Sequence, residues 1–108
     1  MTNVEVTGVA VPRFSKREIG AFTRQVLLAL EKMDKLEEEI TDVSIAFVTD
    51  ETMIGLNRRF RKKAKTTDVL TFPGDDRFLG DIVISVDQAR RQAADEKHSL
   101  ATEVRYLI

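Results

Sequence analysis

Apolar residues along this chain recur at two different periods. Near the N-terminus Val4, Val6, Val9 and Val11 mark a first extended segment, broken near Gly8 and closed by Pro12, which lacks a backbone donor. From Ser15 the period lengthens. Ile19, Phe22, Val26, Leu27 and Leu30 share a helical face, and Ser15 with Glu18 three residues on forms a capping box. Val43, Ile45 and Phe47 then alternate with smaller residues between Asp42 and Thr49, which predicts a strand with one well-buried face. A second helix follows, with Asp50 as its cap and Met53, Ile54, Leu56, Asn57 and Phe60 along it, and it runs straight into a basic cluster. Val69 to Phe72 and Ile82 to Val86 are β-branched segments separated by Pro73-Gly74-Asp75-Asp76, which has the chemistry of a turn, so a hairpin or neighbouring strands are expected. Asp87 caps a third predicted helix from Gln88 to about Lys97. Ser99 caps a fourth, with Leu100, Ala101, Val104, Leu107 and Ile108 on one face.

This order predicts an α/β (α+β) fold over residues 1–108: a small mixed four-stranded sheet in the order β-α-β-α-β-β-α-α, with about four helices covering at least one face. Strands joined through a helix are usually parallel, and a hairpin forces one antiparallel pair. Composition agrees with a single folded domain, since 43% of residues are hydrophobic, 32% are charged, and only five glycines and two prolines interrupt them. The chain has no cysteine, which excludes disulfides and thiolate metal sites and suits a reducing cytoplasm, the expected location. No apolar run approaches the roughly 20 residues that span a bilayer, so no membrane partner is expected.

The net charge of -1 conceals an uneven distribution. Acid gathers from Asp34 to Asp42, whereas six of the eight residues from Arg58 to Lys65 are Lys or Arg. Arg58, Arg59, Arg61, Lys62, Lys63 and Lys65 suit phosphate contacts, because Arg grips phosphate oxygens bidentately and clustered cations gain affinity by releasing counterions. The same charges also fit a solvated helix C-terminus, which the helix dipole favours.

Other chemistries find little support. His98 is the only histidine, so a nucleophilic triad has nothing else to use and a site of several imidazoles cannot form within these residues. Its polar neighbours predict a solvated residue between two helices, without a functional role. The five glycines are scattered and make no phosphate loop. Asp68, Asp75, Asp76 and Asp81 are explained by turns and caps more readily than by Mg²⁺. The last helix stops in the middle of its apolar stripe at Leu107-Ile108, with no capping residue, and this leads us to expect a chain cut short of its natural end.

Three ordered motifs decide between the readings of the basic run. Leu56-Asn57-Arg58-Arg59-Phe60-Arg61, then Thr67-Asp68-Val69-Leu70-Thr71-Phe72-Pro73, then Gly80-Asp81-Ile82-Val83-Ile84-Ser85 together resemble the YbeY family of rRNA maturation factors, which are single-strand-specific endoribonucleases. Thr71 stands where the family usually has serine, and Lys62 and Thr66 where glycine and proline are common. The resemblance implies a zinc-dependent nuclease acting on single-stranded RNA, with rRNA and the ribosome as partners. Arg61 matches the family's functional arginine, Arg58, Arg59, Lys62, Lys63 and Lys65 become its electrostatic surroundings, and Asn57, Thr67 and Asp68 become groove residues. It also implies a His-x-x-x-His-x-x-Gly-x-x-His zinc motif following a helix like the last one. None of those ligands is present up to Ile108, so no metal ligand is expected in residues 1–108, and the chain as given is expected to be inactive. The rival expectation is a non-catalytic assembly factor that touches rRNA or the ribosome through the same basic face.

Overall fold

The structure, a computed structural model, describes residues 3–32, 42–63, 65–74 and 78–108. Eight elements follow one another: β1 (Asn3–Gly8), α1 (Lys16–Lys32), β2 (Asp42–Val48), α2 (Asp50–Arg61), β3 (Val69–Pro73), β4 (Phe78–Ser85), α3 (Val86–Asp95) and α4 (Leu100–Leu107). The strands form one sheet in the spatial order β1-β2-β4-β3. β1, β2 and β4 run parallel, and β3 lies antiparallel against β4 at the edge. This is the mixed four-stranded α/β architecture that the hydrophobic pattern predicts.

Register explains how the sheet divides its side chains. Val4 pairs with Val43 and Val6 with Ile45, while Phe47 pairs with Ile84, so these residues share one face. That face is covered by Ile19 and Leu27 of α1, Ala89 of α3 and Val104 of α4, all buried. The opposite face carries Ala46, Val48, Leu70, Phe72 and Val83, and α2 packs Met53 and Leu56 against it. A parallel strand buried on both faces needs apolar residues at every position, and β2 approaches that with Val43-Ser44-Ile45-Ala46-Phe47-Val48.

Local signals hold these elements in place. The capping box of α1 is reciprocal: the Glu18 amide donates to Ser15 Oγ and the Ser15 amide to Glu18 Oε1, both at 3.1 Å. These bonds from Ser15 keep the Glu18 carboxyl below the usual carboxylate range. β1 ends at Gly8, whose φ of +95° is open to glycine. A Cβ there would meet the Phe47 carbonyl oxygen at 2.0 Å.

Several boundaries differ from the expectation. Thr49, not Asp50, caps α2, and its hydroxyl accepts from the Thr52 amide. Ser85, not Asp87, caps α3, which therefore begins at Val86 and ends at Asp95. Both predicted aspartate caps are redirected because their carboxylates serve tertiary contacts, described below. β4 begins at Phe78, four residues before the apolar run. α4 starts after its predicted Ser99 cap. The acidic stretch Asp34 to Thr41 and the turn residues Asp75 and Asp76 lie outside the described residues. Among the described residues, no helix is long and apolar enough to cross a membrane.

Candidate nucleic-acid interface

The basic cluster takes its shape from the way α2 ends. Met53 and Asn57 are buried along the inner face of this helix, whereas Arg58, Arg59 and Arg61 in its last turn face solvent. Lys62 then adopts a left-handed conformation, φ 56° and ψ 34°, that turns the chain back. A turn with this positive φ is one that glycine adopts without steric cost. The amides of Lys62 and Lys63 donate to the Arg58 and Asn57 carbonyls at 3.1 and 3.3 Å. Asn57 Nδ2 donates to the Lys65 carbonyl at 2.8 Å, tying the far side of the loop to the helix. Arg58, Arg59, Arg61, Lys62, Lys63 and Lys65 are all exposed, and they are presented on one turn and its tethered loop. Among the described residues none of the six makes an ion pair.

Asn57, expected in the groove, is only 2% exposed. Its amide supports the loop from inside, and no ligand on the surface can reach it. Thr67 and Asp68 are half-buried; the Thr67 hydroxyl donates to Asp68 Oδ1 at 3.4 Å, and Asp68 faces α3. Asp68 Oδ1 accepts from the Val69 amide at 2.8 Å and Oδ2 from Gln92 Nε2 at 3.3 Å, while its carbonyl accepts from the Ser85 amide. These two residues form the turn that starts β3. Arg61, in contrast, lines a cavity of about 340 Å³ together with Phe60, Leu70, Thr71 and Phe72. A second cavity of about 380 Å³ adjoins it, lined by Ala46, Leu56, Phe60, Phe72, Asp81 and Val83.

A polar junction beneath the loop escaped the sequence reading. Asp50 Oδ1 accepts from Thr66 Oγ1 and from the fully buried Ser85 Oγ, each at 2.9 Å, and Oδ2 lies 2.7 Å from Arg91 Nη2. Asp87 Oδ2 accepts from the Asp50 amide at 2.8 Å. Burial pushes the Asp50 carboxyl up, but the bonds from Arg91, Thr66 and Ser85 and the guanidinium charge outweigh it, leaving the group below the usual carboxylate range. Thus one carboxylate joins the start of α2, the loop before β3, the end of β4 and α3. The residues are polar members of cap-like sequences, and only the fold brings them together.

The remaining candidates for chemistry do not gather. His98 is partly buried, not solvated: its Nε2 lies 2.6 Å from Glu103 Oε1, and its ring is tilted against Tyr106. Among the described residues no group of three or more histidine, cysteine, aspartate or glutamate side chains is arranged to hold a metal ion. The described residues therefore do not fit a zinc centre.

Comparison with known proteins now bears on this geometry. A family model described as Endoribonuclease YbeY matches residues 8–108. The chain belongs to the YbeY family. An Aquifex aeolicus protein named endoribonuclease YbeY is 46% identical over 72 residues, covering 62% of this chain and 48% of its own length. One of the same name from Acholeplasma laidlawii is 39% identical over 88 residues, covering 79% of this chain and 64% of its own. The chain thus spans about half the length of most of the YbeY relatives it matches. The solution structure of TM1509 from Thermotoga maritima has a TM-score of 0.63 over 94% of this chain and 63% of that one, and at 19% identity this likeness concerns the fold alone.

Proposed function

We propose that this YbeY-family chain forms the RNA-engaging part of a single-strand-specific endoribonuclease that acts in rRNA maturation and ribosome quality control in the cytoplasm. The observation carrying this reading is the arrangement of six exposed cations around the end of α2, with Arg61 lining a cavity against β3. Helix dipole and solvation account for cations at a helix end. They do not account for a loop tied back to the helix by Asn57 and by the Lys62 and Lys63 amides, directly after the Arg61 that lines a cavity.

Arg58, Arg59, Lys62, Lys63 and Lys65 hold the phosphate backbone and concentrate RNA by counterion release. Arg61 places its guanidinium on the phosphate at the cavity and neutralises charge that builds there as the phosphodiester is cleaved. Thr67 and Asp68 contribute by fixing the start of β3. Zinc is the cofactor we expect for the complete family protein, but the described residues supply no ligand set, and no step is assigned through it. A hydrolytic step also needs a group that activates water. We propose that residues 1–108 alone bind RNA without cutting it.

The test compares RNA binding and cleavage by this chain with those of a form extended by any residues encoded downstream of Ile108. Binding by both and cleavage by the longer form alone supports the reading. Binding without cleavage by both favours the assembly factor. Cleavage by the short chain contradicts the proposed division of roles.

A further inference from the structure

The sequence places few aromatics near the basic cluster, and backbone contacts alone are the natural expectation from it. The fold alters that expectation at Phe60. This residue closes the apolar stripe of α2, yet 55% of it is exposed. Phe72, brought in from β3, meets it edge-to-face at 5.1 Å between centroids with 75° between planes. Such a contact fixes the orientation of an exposed ring. The Arg59 guanidinium lies 5.4 Å from the Phe60 centroid, and Arg61 is the next residue along. Phe60 and Phe72 stand between the two cavities of about 340 and 380 Å³, each of the size that takes a small planar ligand. The larger has an apolar floor of Ala46, Leu56 and Val83, with Asp81 as its charged wall.

We propose that Phe60 is a base-stacking residue: an unpaired nucleobase of single-stranded RNA stacks on its ring and enters the cavity beside Phe72, while Arg61 and its neighbours hold the adjoining phosphates. The occupant is chosen by charge. A rigid aromatic ring flanked by Arg59 and Arg61, within a cluster of six cations, matches alternating bases and phosphates better than it matches an apolar peptide or a second copy of this chain, which would have to bury those charges unpaired. Asp81 adds a preference. Its carboxylate only accepts hydrogen bonds, so it favours bases that offer an amino edge, guanine above all, and disfavours uracil. The proposal rests on the RNA-binding reading above and adds the contact that distinguishes RNA from a bare polyanion.

The chain contains no tryptophan, so F60W places a single indole at the site. Its emission is followed while a single-stranded RNA decamer, the same decamer with abasic positions throughout, or inorganic polyphosphate is added. Stacking predicts wild-type-like affinity of F60W for the decamer, strong quenching with it, and neither effect of that size with the other two. F60A should bind the decamer roughly five- to 150-fold more weakly, the range that one stacked base contributes, with an unchanged salt slope. Equal affinity of the wild type for normal and abasic RNA, or F60A binding as tightly as wild type, overturns the stacking proposal while leaving phosphate binding intact. Failure of every polyanion to bind in a salt-dependent manner instead overturns the underlying RNA reading.

Discussion

Replacing Asp50 by alanine removes the one carboxylate on which four segments converge. Its loss leaves the Ser85 hydroxyl, with no exposed surface, without the acceptor it now has at 2.9 Å. An unsatisfied buried hydroxyl costs on the order of 1–3 kcal/mol. Thr66 loses a second bond of 2.9 Å and regains part of it from water, for about 0.5–1 kcal/mol. The Arg91 pair is half exposed and is discounted to at most about 1 kcal/mol. Asp50→Ala should therefore destabilise the fold by roughly 2–4 kcal/mol, a drop of about 10 °C or more in midpoint for a domain of this size. Asp50→Asn keeps an acceptor and loses only the charge, so it should cost about 1 kcal/mol. The sign with pH follows from the lowered carboxyl: the contribution is complete above the ordinary aspartate range, roughly pH 4, and disappears as pH falls through the lower folded value. Equilibrium denaturant unfolding of the three proteins between neutral and acid pH measures all of this. The reasoning fails if Asp50→Ala unfolds within 0.5 kcal/mol of wild type on the scale of a neutral surface change, or if Asp50→Asn retains the full acid sensitivity.

Two further substitutions probe the loop above this junction. Asn57→Ala should cost about 1–2 kcal/mol by freeing the Lys65 carbonyl, and should weaken RNA binding although the side chain is out of reach of any ligand. Asn57→Asp, which buries a carboxylate and deletes the donor, should be worse than Asn57→Ala in thermal unfolding, and the reverse order would show that the side chain is not buried as described. Lys62→Gly relieves a left-handed lysine and should raise stability by about 0.5–1 kcal/mol. The same change removes a phosphate contact, so the slope of log affinity against log salt should fall by roughly 0.7. Opposite movements in one variant separate the turn's geometry from its charge, and a loss of stability would argue against the left-handed turn.

Much of this fold is legible in the sequence because its signals are local. Alternation in Val43-Ser44-Ile45-Ala46-Phe47, the Ser15–Glu18 box and the Ser99 cap each depend on residues a few positions apart, and each appears where expected. The misplaced caps show where local reading stops. Asp50 and Asp87 have cap chemistry, but each finds a better partner 35 or more residues away, and Thr49 and Ser85 take over the helix starts. The candidate site divides in the same way. Charge at Arg58 to Lys65 is visible at once, whereas the burial of Asn57 and the Phe60–Phe72 contact depend on how β3 lies beside α2. His98 was misjudged although its partner is near in sequence: Glu103 lies five residues on, in the first turn of α4, and the contact accompanies partial burial of the ring.

The central claim is that the loop closing α2 is an RNA phosphate site with Arg61 at its centre. Affinity for a single-stranded RNA decamer, measured by anisotropy across a salt series for wild type and Arg61→Ala, with denaturant unfolding of both in parallel, tests it most directly. Arg61 is exposed, so the account predicts unchanged stability, weaker binding and a salt slope shallower by about 0.7. Equal binding by the two proteins, or a variant that loses stability while the salt slope stays the same, contradicts it.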